Sequence, residues 1–103
     1  MKPRRSRRVA VQLPVTLRDA SLQGQGTVVN ISIDGCAALT KPILAVGSYY
    51  SLDIELPQEG AALEIELAAV RWQAGDRCGM EFIRVREERK AELQAFVRLL
   101  ENP

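Results

Sequence analysis

Arginines at the start of the chain are the residues best suited to chemistry. Arg4 and Arg8 stand four positions apart in the segment RRSRR, with Arg5 and Arg7 between them. Arginine carries five N–H donors on a planar, permanently charged guanidinium group, which fits two phosphate oxygens or the O6 and N7 edge of guanine. Two such groups on one short segment can close over a compact ligand that carries both phosphates and guanines.

A second group of polar residues follows in the segment NISIDG, which holds Asn30, Ser32 and Gly35. Residues two positions apart on a strand share one face, so Asn30 and Ser32 are expected to present an amide and a hydroxyl together. Gly35 supplies either a turn with positive φ or a close backbone approach that a Cβ would block. If the first two strands are neighbours, the arginine segment lies beside this neutral patch, and one ligand contacts both.

The distribution of charge favours a small anion over an extended nucleic acid. Five of the 14 lysines and arginines lie in residues 1–8, which contain no acid, although the whole chain has a net charge of only +1. The rest of the chain is therefore mildly acidic. A nucleic-acid surface usually spreads its basic residues over one face of the fold. Non-specific nucleic-acid binding through the basic segment stays open as the less favoured alternative, and no stable nucleic-acid complex is expected.

The remaining reactive residue types argue against an enzyme. Cys36 and Cys78 are the only cysteines, and the chain has no histidine. Two thiols without further soft ligands make a poor zinc site, and each lies in an apolar segment, which predicts buried, inert thiols. Without histidine, a paired-carboxylate motif or a phosphate-binding loop, we expect no catalytic activity, no metal and no cofactor.

The composition indicates one ordinary globular domain. The chain has 103 residues, of which 47% are hydrophobic and 26% charged. No apolar run approaches the ~20 residues that a membrane-spanning helix needs. The basic N-terminal segment passes into alternating sequence without the apolar core of a signal peptide. We therefore expect a cytoplasmic protein without membrane insertion.

Hydrophobic periodicity predicts six short strands followed by one helix. Alternation with period two indicates half-buried strands, and Pro14 in the first of them predicts an edge position or a bulge. The last segment changes to helical spacing, with apolar residues at i, i+3, i+4 and i+7 from Leu93 to Leu100. The pattern predicts an all-β fold, a small antiparallel barrel or sandwich, with one amphipathic C-terminal helix. The predicted strands are 9–17, 27–32, 36–40, 50–56, 63–72 and 78–85, the helix is about 86–101, and 19–26 is predicted as a turn.

The two motifs, on this pattern of elements, resemble the PilZ domain family of bacterial cyclic di-GMP receptors. The family pattern RxxxR matches Arg4 to Arg8, and [D/N]xSxxG matches residues 30–35. The segments AVGS, LDIELP, VRW and GMEF are also similar to the family, so the resemblance covers residues 4–101. It implies a six-stranded antiparallel β-barrel of the split-barrel type, capped by the helix. It also implies a flexible basic arm over 1–8 and a single domain over 9–103.

For function, the resemblance implies binding of cyclic di-GMP, as a single molecule or as an intercalated dimer. Binding would order the arginine arm and change how the domain meets a separate effector protein, in processes such as motility or exopolysaccharide synthesis. A PilZ-fold interaction module that needs no ligand is the alternative. In the implied site, Arg4 and Arg8 grip guanine edges and phosphates, Arg5 adds a phosphate contact, Asn30, Ser32 and Gly35 form the barrel side, and Trp72 packs on a guanine.

Overall fold

Six antiparallel strands close into a barrel that carries a helix. The structure is a computed structural model, and it describes residues 7–57 and 62–101. The strands pair in the order β1-β2-β3-β6-β5-β4, and pairing of β1 with β4 closes the barrel. The predicted all-β barrel with one C-terminal helix is confirmed. The elements are β1 (Val9–Arg18), β2 (Gln23–Ile31), β3 (Gly35–Lys41), β4 (Tyr49–Glu55), β5 (Ala62–Ala74), β6 (Arg77–Arg84) and α1 (Glu87–Glu101).

The core lies inside the barrel and under the helix. Inward-facing side chains of all six strands are buried, because alternate strand positions point to the interior. Helix α1 packs against β5 and β1 and closes the core from outside. Its acidic first turn, Glu87 and Glu88, suits the positive end of the helix dipole. The largest fully buried side chains are Leu17, Ile31, Leu52, Ile54, Leu63, Ile65, Met80 and Leu93.

The second strand is longer than predicted. It begins at Gln23, so the prediction of a turn over all of 19–26 is wrong. A Cβ at Gly24 would lie 2.9 Å from the carbonyl oxygen of Lys41, and a Cβ at Gly26 would clash with that of Leu39. These glycines therefore allow β2 and β3 to approach closely, rather than turning the chain.

A bulge in β2 changes which residues face outward. Strict alternation would put Val28 on the same face as Asn30 and opposite Ile31. The register instead shifts between Val28 and Asn30, and both Val28 and Ile31 are fully buried. One extra residue in the strand reverses the alternation beyond it. Asn30, paired with Ala37 of β3, therefore lies on the outer surface of the barrel.

Pro14 lies where β1 has one paired neighbour. It stands opposite Thr27 of β2, whereas the register of β1 with β4 begins at Val15. A proline has no backbone N–H to donate. Because Pro14 is not paired with β4, no hydrogen bond to that strand is lost here. The register shift in β1 lies just before it, between Ala10 and Leu13.

The two thiols are free and buried, as predicted from their apolar surroundings. Burial, with a smaller effect from Cys78, raises the pKa of the Cys36 thiol from 9.0 to about 12. The unfolded chain releases this proton near pH 9, whereas the folded protein holds it until about pH 12. The stabilisation from the neutral thiol is complete below pH 9 and is lost as the pH rises toward 12.

We therefore expect the free energy of unfolding of the wild type to fall more steeply between pH 9 and 12 than that of a Cys36→Ala variant. Urea titrations at a series of pH values measure this difference, and the other titrating groups are common to both proteins. An equal decline in the two proteins would show that the buried thiol does not control this part of the pH profile.

Candidate functional site

The arginine segment meets the second motif at Asn30. Arg8 immediately precedes β1, and the register of Ala10 with Asn30 places the two elements side by side. The Arg8 Nη1 atom donates a hydrogen bond to Asn30 Oδ1 at 2.9 Å. The same oxygen accepts from the backbone N–H of Ala37 at 3.2 Å. One amide oxygen thus joins the arginine segment, β2 and β3.

The hydrogen-bond partner of Arg8 carries no charge. This partner is the side-chain amide of Asn30. Among the described residues, 7–57 and 62–101, none of the ion pairs involves Arg8. Other arginines are matched with acids: Arg71 Nε lies 2.7 Å from Glu81 Oε1, and Arg18 pairs with Asp53. A guanidinium group that is held against the barrel without an acidic partner among the described residues is suited to bind an anion.

Ser32 builds the turn that follows β2. It is 1% exposed, and its Oγ accepts hydrogen bonds from the backbone N–H groups of Asp34 at 3.1 Å and Gly35 at 3.2 Å. The prediction that Ser32 and Asn30 present their side chains together on one face of a strand is wrong. Strand β2 ends at Ile31, and the alternation of side chains does not continue into the turn. Ser32 therefore acts on the site by fixing the turn.

Gly35 allows two strands to approach closely. Among the described glycines, those with positive φ are Gly47 and Gly75, so the alternative of a left-handed turn at Gly35 does not apply. A Cβ at position 35 would clash with the carbonyl oxygen of Met80 and lie 3.3 Å from the Cα of Glu81. The residue is required because β3 and β6 run so near each other there.

Trp72 lies on the same outer surface, several strands away. The registers connect Asn30 of β2, Ala37 of β3, Gly79 of β6 and Trp72 of β5 in one row across the barrel. Three strand spacings of about 4.8 Å separate the ends of this row, or roughly 14 Å. Small residues fill the middle, and Trp72 is 43% exposed. The row thus offers a cation at one end and an aromatic ring at the other.

A groove of about 780 Å³ continues this surface. Beyond the buried pair of Val28 and Ala38, Thr27 pairs with Leu39, and both of these residues line the groove. It also contains Lys41 and Asp76, which carry opposite charges. The concave surface therefore begins at the next outward-facing pair, two pairs along the register from the contact of Asn30 with Ala37.

The structure brings together part of the predicted set. Arg8 contacts Asn30, the turn of Ser32 and Gly35 adjoins them, and Trp72 lies at the far end of the row. The predictions for Arg4 and Arg5 lie outside the described residues.

Sequence reasoning missed the contribution of Ala37 and the position of Gly79. A backbone N–H has no sequence signature, so the bond from Ala37 could not be found. Gly79 could be suspected only as a glycine within a strand, which often marks a close approach.

Across residues 7–57 and 62–101, no three His, Cys, Asp or Glu residues are grouped in a way that could hold a metal ion. Over the same residues, no helix has the length and apolar character needed to cross a membrane.

The chain was compared with curated proteins and with solved structures, and the solved structures give matches. A comparison with curated proteins finds no match. The solved structure of the Bacillus subtilis inhibitor of motility, MotI/DgrA, is 25% identical with a TM-score of 0.76, over 99% of this chain and 53% of that one. The chain thus spans about half the length of that protein.

Two PilZ domains of known structure also match. The PilZ domain of YcgR from Escherichia coli, solved with c-di-GMP, is 16% identical with a TM-score of 0.78, over 97% of this chain and 92% of that one. The PilZ domain of CeSA from a cellulose-synthesizing bacterium is 18% identical with a TM-score of 0.72, over 94% of this chain and 100% of that one. The family model of the PilZ domain matches residues 2–99. The chain therefore belongs to the PilZ domain family.

Proposed function

We propose that this protein is a receptor for cyclic di-GMP, which binds across the outer face of β2, β3, β6 and β5 under the arginine segment. The observation that carries the proposal is the guanidinium group of Arg8, held on Asn30 at 2.9 Å without an acidic partner among the described residues. Family membership and the YcgR PilZ domain solved with c-di-GMP support the choice of ligand.

The row from Asn30 to Trp72 matches the chemistry of this ligand. Cyclic di-GMP carries two phosphates and two guanines, so it needs cationic donors and flat apolar surfaces together. Arg8 supplies a fork for a phosphate or a guanine edge. Ala37 and Gly79 add no bulky side chain between Asn30 and Trp72, and Trp72 supplies an aromatic surface. Ser32 and Gly35 hold the turn beside the arginine in place.

The expected affinity is in the micromolar range. Two bidentate arginines would make four charge-assisted bonds of ~1.5–3 kcal/mol each. Ordering the arginine segment and immobilising the ligand offset several kcal/mol of this gain. A net value near −8 kcal/mol corresponds to a dissociation constant of about 1 µM. Such an affinity suits a messenger whose concentration rises and falls.

Arg4 and Arg5 complete the proposed site from residues 1–8. In this proposal, the segment is an arm that becomes ordered when its guanidinium groups close over one ligand or an intercalated dimer. The closed arm changes the surface of the domain, residues 9–103, that a separate cytoplasmic effector protein meets. Regulation of motility or of exopolysaccharide synthesis is the proposed role, in keeping with the motility inhibitor among the similar structures.

Calorimetric titration tests the proposed ligand. We expect saturable binding of cyclic di-GMP, with GTP at equal concentration giving a far weaker signal. A short oligonucleotide is the second control: binding that it shares, with a steep dependence on salt, would instead indicate a nucleic-acid-binding protein. Absence of binding to any of the three would favour a ligand-independent interaction module and contradict the proposal.

A further inference from the structure

The single tryptophan of the chain rests on a glycine. Trp72 of β5 pairs with Gly79 of β6, and both face the outside of the barrel. A Cβ built at Gly79 would lie 2.7 Å from Trp72 Cδ1 and nearer still to Nε1 and Cε2. The five-membered ring of Trp72 therefore occupies the space that any side chain at position 79 would fill.

This contact sets the height of the indole above the sheet. Gly79 also pairs with Ala37, which pairs with Asn30, so the residues between the indole and Asn30 are small. The residue Trp72 is 43% exposed although its five-membered ring lies against Gly79, so part of the side chain is open to a ligand. A side chain at position 79 would push the ring outward. This shift would change the surface that the indole presents to a planar base beside Arg8.

We propose that Gly79 is a positioning residue of the ligand site, which seats Trp72 low on the barrel so that the indole forms a stacking surface for a purine base. The inference rests on the proposed function for the identity of the ligand, cyclic di-GMP. Gly79 contributes no contact of its own to this role, and it acts through Trp72. Stacking of bases on aromatic side chains tolerates different bases, so this end of the site adds affinity while the arginine end selects guanine.

A double-mutant cycle tests whether Gly79 acts through Trp72. Trp72→Ala is expected to weaken binding of cyclic di-GMP by about tenfold or more in calorimetry. Gly79→Ala is expected to weaken it to a similar extent, because the indole must move. In the Trp72→Ala background, adding Gly79→Ala should change affinity by less than about twofold. The double variant lacks the three indole atoms that lie nearest to the new Cβ, so it keeps the test valid if Gly79→Ala alone folds poorly.

Fluorescence gives a second readout, because Trp72 is the only tryptophan. We expect cyclic di-GMP to quench the emission of the wild type, and Gly79→Ala to shift the emission of the free protein to longer wavelength as the ring becomes more exposed. Gly26→Ala is the matched control: it places a Cβ against the carbonyl oxygen of Leu39, away from Trp72. It should lower stability and leave the emission unchanged.

The outcomes separate this inference from the proposed function. Wild-type protein that fails to bind cyclic di-GMP in calorimetry would overturn the proposed function and the stacking role together. Normal binding by Trp72→Ala would overturn the stacking role alone. Equal weakening by Gly79→Ala with and without Trp72 would show that Gly79 does not act by positioning the ring.

Discussion

An Arg8→Ala variant is expected to lose detectable binding of cyclic di-GMP in calorimetry. Arg8 is the guanidinium group that the structure holds on Asn30, and its charge has no acidic partner in the described residues. A fork that makes two charge-assisted bonds contributes ~1.5–3 kcal/mol through each. Loss of both corresponds to a weakening of more than about 100-fold, which moves a micromolar affinity beyond the range of the method.

Two variants control for charge and for folding. Arg18→Ala removes an arginine from the other end of β1, where Arg18 is paired with Asp53, and it should bind normally. Arg8→Lys keeps the charge without the planar fork, and it should recover only part of the affinity. Near-normal binding by Arg8→Ala, with the fold intact by circular dichroism, would remove the main support for the proposed site.

A Gly35→Ala variant is expected to lose both stability and ligand binding. The added Cβ would clash with the carbonyl oxygen of Met80, a backbone atom that can move only with β6. Overpacking of this kind typically costs about 1–3 kcal/mol of the free energy of unfolding. Because Gly35 also bonds to Ser32, the change displaces the turn beside Asn30. Urea denaturation and calorimetry measure the two effects.

Gly75→Asn is the matched control for this prediction. Gly75 has a φ of +64° and an open surrounding, and asparagine tolerates that conformation better than most residues. We expect a stability change within about 0.5 kcal/mol and normal binding. If Gly35→Ala were as stable as this control, the strands would have room that the structure does not show.

The element order and the neighbourhood of the two motifs could be predicted from the sequence, because both depend on local patterns. Alternation located the strands, and adjacency of β1 and β2 placed Arg8 near Asn30. The bulge at Val28 could not be predicted, since it depends on the register with β3 and leaves no mark on the alternation of apolar residues.

Other features depend on contacts that exist only after folding. Gly24 and Gly26 are of a residue type that is common in turns, yet here they allow β2 and β3 to approach each other closely. The bond from the Ala37 N–H to Asn30 and the seating of Trp72 on Gly79 join residues from different strands. A single sequence gives residue types at each position, but it does not give the distances across a barrel.

The neutrality of the Asn30 side chain has a kinetic consequence for the proposed receptor. A carboxylate at this position would cancel the charge of Arg8 before any ligand arrived, whereas an amide holds the group and leaves its field intact. That field extends over a Debye length of about 8 Å at physiological ionic strength and attracts anions from solution. Capture of the messenger would then slow as salt is added, while its release would depend on the short contacts within the site.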